Sequence, residues 1–256
     1  MTSFYDELAP FYHLIYSDWN ASVRRQGQQL AAIIAKEWPD TQRVLDVCCG
    51  IGTQTLGLAM HGLTVRASDI SSQAVERAKF EASRLSVDVE FSVCDVRRAA
   101  AHHGGGFGVI IACDNSLPHL LTDEDLLIAL RQMADCLCEG GGCLLTVRDY
   151  EKEERGLGIV KPYGTRIENG SRYLLFQVWD FDGDCYDVTF FFIVENLSTG
   201  EVDARAMRSR YYAISTRRLC ELMEEAGFES VRRLDGVFFQ PVLIGTRRKG
   251  AHSRRQ

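Results

Sequence analysis

Three carboxylates and two glycines in the first hundred residues have the types and spacing of a nucleotide site. Asp46 lies four residues before Gly50-Ile-Gly52, in the apolar run Arg43-Val-Leu-Asp-Val-Cys48, and a helical pattern opens just beyond the glycines. A strand that ends in a glycine turn and starts a helix exposes backbone N–H groups to a ligand, because glycine lets the chain approach closely. Asp69 comes 19 residues after Gly50, at the end of the second apolar run. A carboxylate there suits hydrogen bonding to both hydroxyls of a ribose. Asp95 closes the third run, where an adenine edge would lie. A dinucleotide fingerprint would require a third glycine where Thr55 stands, which counts against NAD. Asp46 argues the same way, since it would repel a pyrophosphate and attract a cationic amino group.

These residues must be held by a scaffold, and apolar runs alternate with helical patterns as in a parallel sheet with crossover helices. Strands are expected at 43–48, 63–68, 87–93, 108–113 and 143–147, with a basic, glycine-rich linker at 97–106. Helices are expected at 53–61, from Ser71 onward and at 123–138, the last closed by Gly140-Gly-Gly142. The rhythm then changes. Residues 158–213 hold the alternating or aromatic segments 172–181, 186–195 and 201–212, joined by the hairpin-type turns Asp182-Gly-Asp184 and Ser198-Thr-Gly200. This predicts an antiparallel insertion. Ser215 caps a helix over 216–226, and strands at 230–234 and 237–246 follow.

The 256 residues are 46% hydrophobic and 25% charged, ordinary values for a globular chain. A net charge of −6 excludes the basic surface that nucleic acid requires. No stretch reaches the ~18 apolar residues of a membrane span, and residues 1–20 lack a signal peptide's apolar centre. A cytoplasmic protein with neither membrane nor nucleic-acid partners is expected. The nine cysteines are odd in number and sit largely in apolar runs (Cys94, Cys113, Cys143), so no disulfides are expected. Their spacing with histidine forms no zinc signature, and no metal is implied. Apolar surroundings raise a thiol's pKa, so Cys48, Cys49 and Cys113 are assigned no chemistry.

Taken together, Val44-Leu-Asp-Val-Cys-Cys-Gly-Ile-Gly-Thr53, Asp69, Cys94-Asp95 and Cys113-Asp-Asn-Ser-Leu-Pro-His119 resemble the class I S-adenosylmethionine-dependent methyltransferases. The resemblance covers residues 44–150 well and 215–246 moderately, and Cys48 departs from it by standing where Gly or Ala is usual. It implies a Rossmann-like α/β fold: a seven-stranded sheet in order 3-2-1-4-5-7-6, the last strand antiparallel, with helices on both faces. It implies S-adenosyl-L-methionine as donor, S-adenosyl-L-homocysteine as product, and a small-molecule acceptor. Donor contacts are implied for Asp46, Cys48, Gly50, Gly52, Asp69, Ile70, Asp95, Val96, Cys113 and His119.

Within that class, Phe4–Trp19 and Arg148-Asp-Tyr150, with the insertion and Tyr211-Tyr212, are similar to the glycine/sarcosine N-methyltransferases. The similarity implies an N-terminal helical lid at 1–40, a donor-binding core at 41–150, an insertion at 151–213 over the acceptor, and a C-terminal part of the core at 214–247. A disordered tail is expected at 248–256. The implied acceptor is the amine of an amino acid such as glycine or sarcosine. O- or C-methylation of another small molecule or natural product is the alternative, and an NAD-dependent oxidoreductase or a non-catalytic donor-binding module lies further off.

Individual residues carry this unevenly. Arg148 leaves the end of a buried strand, where an unpaired guanidinium would be costly. The resemblance makes it the clamp for an acceptor carboxylate, and pairing with Asp149 or Glu151 is the alternative. Asn115 follows the fourth strand and could orient the acceptor or simply form a turn. His119 has similar placement, with a structural role equally open. Tyr12, Tyr16 and Trp19 share a face if their segment is helical. Such a stripe usually packs a core, but the resemblance puts Tyr12 against the donor and Tyr16 near the acceptor. Arg24 or Arg25 could neutralise the donor's carboxylate, with Arg25 preferred, and Tyr212 could hydrogen-bond the acceptor from the insertion. A sulfonium is already activated, so transfer requires positioning, desolvation and a deprotonated nitrogen rather than a covalent nucleophile.

Overall fold

The computed structural model describes residues 2–248, without the side chains of residues 2 and 3. The chain begins with α1 (Thr2–Leu8), a 3-10 turn (Tyr12–Ile15) and α2 (Trp19–Glu37). It then alternates β1 (Arg43–Asp46), α3 (Thr53–Met60), β2 (Thr64–Asp69), α4 (Ser72–Leu85), β3 (Glu90–Val93) and α5 (Ala99–His103). β4 (Phe107–Ala112), α6 (Asp123–Cys136) and β5 (Leu137–Thr146) complete the first half. Four long strands follow, β6 (Ile159–Glu168), β7 (Ser171–Asp182), β8 (Cys185–Asn196) and β9 (Val202–Tyr212). The chain closes with α7 (Thr216–Glu225), β10 (Phe228–Leu234) and β11 (Val242–Arg247).

The main sheet has the order β3-β2-β1-β4-β5-β11-β10, with β1 to β5 parallel and β11 antiparallel to both β5 and β10. Setting the insertion aside, this is the expected 3-2-1-4-5-7-6 arrangement. β1 lies between β2 and β4, and its central Val44 and Leu45 are both fully buried because helices cover both faces of the sheet. Leu45 packs with Ile110, Leu145 and the α6 side chains, whereas Val44 packs on the opposite face with Leu30 and Ile34 of α2. The order reverses at β1, which opens a crevice at the carboxyl ends of β1 and β4. No described helix is long and apolar enough to cross a membrane.

The insertion is a separate antiparallel sheet, β6-β7-β8-β9. Its inner face (Leu175, Phe190, Phe192, Met207) packs against Phe4, Leu8 and Leu14 of the N-terminal segment. β6 escaped the period-two pattern because its register shifts between Pro162 and Gly164. The linker at 97–106 contains α5, and β5 starts at Leu137, so Gly140-Gly-Gly142 lies within a strand rather than ending a helix. Close packing explains the last glycine: a Cβ on Gly142 would stand 2.0 Å from Trp38 at the end of α2. Tyr12, Tyr16 and Trp19 do not share one helix either. Tyr16 is extended, with φ −87° and ψ 145°, and α2 starts only at Trp19, capped by the Asp18 carboxylate. Of the tail expected at 248–256, residues 249–256 lie outside the described residues.

Candidate functional site

At the end of β1 the chain turns through Gly50 and Gly52, whose φ values of 51° and 91° are left-handed and natural to glycine. Gly52 is the N-cap of α3, and the first helical residues, Thr53 and Gln54, whose N–H groups have no partner within the helix, line the crevice. Asp69, at the tip of β2, holds this turn. One carboxylate oxygen accepts from the Gly50 N–H at 2.9 Å and the other from the Ser71 N–H at 2.9 Å. Burial raises its pKa, against those hydrogen bonds.

Beside the turn is a cavity of about 260 Å³. Cys48, Gly50, Asp69 and Ile70 line it from β1 and β2, Asp95 and Val96 from beyond β3, and Cys113 and His119 from beyond β4. Tyr5, Tyr12 and Tyr16 close it from the N-terminal segment. The Asp95 carboxylate is engaged by Arg97, 2.7 Å away, which holds its pKa low. Burial pushes the thiols of Cys48, Cys49 and Cys113 well up, so none is a ready thiolate.

A second cavity of about 330 Å³ lies behind the tyrosines. Asn115, Arg148, Gln177 and Tyr211 line it, and Tyr5, Tyr12, Tyr16 and Asp114 face both cavities. Arg148 pairs with neither Asp149 nor Glu151. Asp149 is taken by Arg233 at 2.7 Å and Lys152 at 3.2 Å. The Arg148 guanidinium instead lies over the Trp179 ring, 4.6 Å from its centroid, and donates to the Tyr186 hydroxyl at 3.2 Å. Its nearest carboxylate, Glu153, is 3.8 Å away.

Several expected positions are corrected. Asp46 does not line the first cavity. It is buried beneath the turn, accepting from Thr55 Oγ1 at 2.6 Å and the Cys48 N–H, and burial raises its pKa to about 7. Gly52 forms the turn without lining the cavity. Arg25 is exposed and lines the second cavity rather than the first, and Arg24 lines neither. Tyr212 faces away, donating to Asp123 at 2.9 Å, because neighbours on a strand point to opposite faces, and Tyr211 occupies the cavity wall. Asn115 is largely consumed by structure: its Oδ1 accepts from the Arg148 N–H and its Nδ2 donates to Tyr150.

Asp114, Tyr5, Tyr211 and Gln240 were not singled out by sequence reasoning. For Asp114 the signal was present, since Asp and Asn are the side chains that tolerate left-handed backbone, and Asp114 and Asn115 have φ values of 56° and 63°. Spacing also did not reveal that Cys94, His102 and His103 bring one ligand atom each within 4.8 Å of one another. Both histidine Nε2 atoms there are hydrogen-bonded, to Ser92 and Ser68 hydroxyls.

His119 is buried with Nε2 2.6 Å from the Tyr5 hydroxyl, Nδ1 3.3 Å from Ser209 Oγ, and its ring centroid 3.9 Å from that of Tyr211. Burial lowers its pKa to about 3, so it is neutral at physiological pH. The unfolded chain takes up a proton below its ordinary value of 6.5 that the native state refuses. His119 therefore favours folding fully above that pH, and this advantage is lost as pH falls towards 3. Between pH 7.5 and 5.5, urea titrations of His119→Gln are expected to show a stability loss smaller than wild type by about 1 kcal/mol. Equal losses would contradict a buried neutral imidazole.

Residues 44–141 match the family described as "Methyltransferase domain". The chain is 31% identical over 118 residues to ubiquinone biosynthesis O-methyltransferase of Xanthomonas campestris pv. campestris (strain B100), covering 46% of this chain and 48% of that protein. It is 27% identical over 144 residues to glycine/sarcosine N-methyltransferase of Parasynechococcus marenigrum (strain WH8102), covering 56% and 50%. The chain thus spans about half the length of the curated relatives it matches. Among solved structures, Streptomyces venezuelae DesVI superposes with a TM-score of 0.81 at 19% identity, over 93% of this chain and 98% of that one. CalS10, an amino pentose methyltransferase from Micromonospora echinaspora solved with S-adenosylmethionine bound, gives 0.76 at 18% identity, over 88% and 92%. Residues 44–141 are thus a methyltransferase domain, set in a chain whose main sheet has the strand order of these methyltransferase structures.

Proposed function

We propose that this protein transfers the methyl group of S-adenosylmethionine to the amine of a small amino acid such as glycine or sarcosine. The observation that carries this reading is the pair of cavities meeting at Tyr12, Tyr16 and Asp114: the first has a nucleotide-type wall, the second the Arg148 guanidinium. The residues present fit the donor. Asp69, fixed at the end of β2, would accept from the ribose hydroxyls, Ile70 and Val96 would flank the adenine, and the Gly50 turn leaves room for the chain of the ligand. Tyr12, between the cavities, would cover the donor, and Tyr16 would face the acceptor.

When bound, the donor supplies an activated sulfonium methyl, so the protein's task is placement. Arg148, stacked on Trp179 and so held in orientation, presents a planar fork to a carboxylate. Asn115 positions Arg148 through its main chain and is assigned no contact of its own. Neutral His119, with both nitrogens engaged, fixes Tyr5 and is assigned no proton transfer.

The similarity to the glycine/sarcosine enzyme supports an amine acceptor, and the similarity to the ubiquinone enzyme keeps a hydroxyl acceptor as the second reading. Calorimetry with S-adenosylmethionine and NAD, followed by S-adenosylhomocysteine release from glycine, sarcosine and catechol, tests this. Binding of S-adenosylmethionine alone and turnover of the two amino acids are expected. Tight NAD binding would overturn the methyltransferase reading, and turnover of catechol alone would overturn the amino-acid acceptor.

A further inference from the structure

The wall shared by the two cavities consists of tyrosines except at one point. Asp114 faces both spaces, the one carboxylate among the four residues that line the two cavities together. Its backbone is left-handed and its N–H is tied to Thr146 Oγ1 at 2.7 Å, which fixes where the side chain leaves the turn. One carboxylate oxygen accepts from the Tyr16 hydroxyl at 3.0 Å and the other from Gln240 Nε2 at 3.1 Å. Gln240 is itself held by Thr146, whose hydroxyl donates to its Oε1 at 3.0 Å. Each oxygen of a carboxylate offers two acceptor positions, so one on each remains for a ligand.

We propose that Asp114 binds the ammonium form of the acceptor at this junction and takes its proton, which makes the acceptor an amine. The inference deepens the methyltransferase reading above and rests on it. Asp114 is the anionic group lining the second cavity, where the buried end is held by the Arg148 cation and Arg25 lies exposed, a pattern that matches a carboxylate and an ammonium on one small molecule. A phenol or carbon acceptor would leave the Asp114 carboxylate facing a ligand with no positive charge, an unfavourable burial.

The step balances as follows. The ammonium gives one proton to an Asp114 oxygen, leaving a neutral amine and a neutral carboxylic acid. The nitrogen lone pair then forms the N–CH3 bond as the C–S bond breaks, its electron pair passing to sulfur to leave a thioether. The methylated nitrogen carries the positive charge away, and Asp114 loses its proton to water as product departs. Burial raises the pKa of Asp114, which strengthens it as a base. The titratable and charged groups that face it are Tyr16 and Tyr12 from the N-terminal segment, Tyr5 from α1, Arg148 from beyond β5, Tyr163 from β6, and Cys113 beside it.

The test uses the full chain with a panel of glycine, sarcosine, ethanolamine and glucosamine, and with glycolate and catechol as hydroxyl acceptors. Wild type is expected to methylate at least one amine. Its kcat/KM should be level near neutral pH and fall on the acid side as Asp114 is protonated. Asp114→Asn keeps the shape and one hydrogen-bond acceptor. It is expected to lose ~100-fold in kcat/KM at pH 7, to recover about tenfold per pH unit as the free amine deprotonates, and to bind S-adenosylmethionine as wild type does. Tyr16→Phe removes a hydrogen bond that lowers the Asp114 pKa, and should shift the acid limb to higher pH. A uniform loss in Asp114→Asn with an unchanged pH profile, a loss confined to donor affinity, or wild-type turnover of hydroxyl acceptors or of no amine would overturn the proposal. If Asp114→Asn does not fold, an acid limb unmoved in Tyr16→Phe overturns it. Failure of wild type to bind S-adenosylmethionine marks failure of the underlying reading instead.

Discussion

Asp69→Ala is expected to weaken S-adenosylmethionine binding by ~2–4 kcal/mol, roughly 30- to 1,000-fold in Kd. Two effects act together. The substitution removes the acceptors for both ribose hydroxyls, and it leaves the Gly50 and Ser71 N–H groups without the carboxylate that holds the glycine turn. Asp69→Asn, which keeps one acceptor oxygen, should fall between wild type and the alanine variant. The fold should survive, because Asp69 ends β2 at the rim of the crevice and the packing of β1 and β2 does not depend on it. Calorimetry checks the affinity and thermal unfolding checks the fold. An unchanged Kd would remove Asp69 from the donor site.

Arg148→Lys is expected to raise KM for carboxylate-bearing acceptors about tenfold or more while leaving donor affinity alone, a charge-assisted hydrogen bond contributing roughly 1.5–3 kcal/mol. The geometry says why lysine is a poor replacement. The guanidinium lies flat over Trp179 and donates to Tyr186, so one edge is anchored while the fork faces the cavity. An ammonium can neither stack this way nor bind a carboxylate through two parallel hydrogen bonds. An acceptor without a carboxylate, ethanolamine for example, should be nearly indifferent to the change. Equal effects on all acceptors, or an effect on donor binding, would make Arg148 a structural residue.

Both residues could be singled out from the sequence because each sits at the end of a buried strand. Apolar runs bounded by turn residues locate such ends, and a charged group there has a local physical reason to be noticed. The same local logic located the Gly50–Gly52 turn, the caps Ser71 and Ser215 and both hairpin turns, since each is a demand of backbone geometry or hydrogen bonding met within a few residues. The order of the main sheet was legible through the family resemblance, not through periodicity.

What only the tertiary structure decided is which way side chains point and what they meet. Tyr211 and Tyr212 are adjacent aromatics, and the pairing of Tyr186 with Tyr211 chooses the one that faces the cavity. Asp46 and Asp114 both follow or end buried strands, yet Thr55 draws the first beneath the turn while Thr146 and Gln240, 32 and 126 residues away, hold the second between two cavities. Gly142 read as a helix stop because the indole that requires it belongs to Trp38. A sequence records the backbone's local requirements directly, but facing and partnership depend on contacts between distant segments, and those exist only once the sheets and helices have packed.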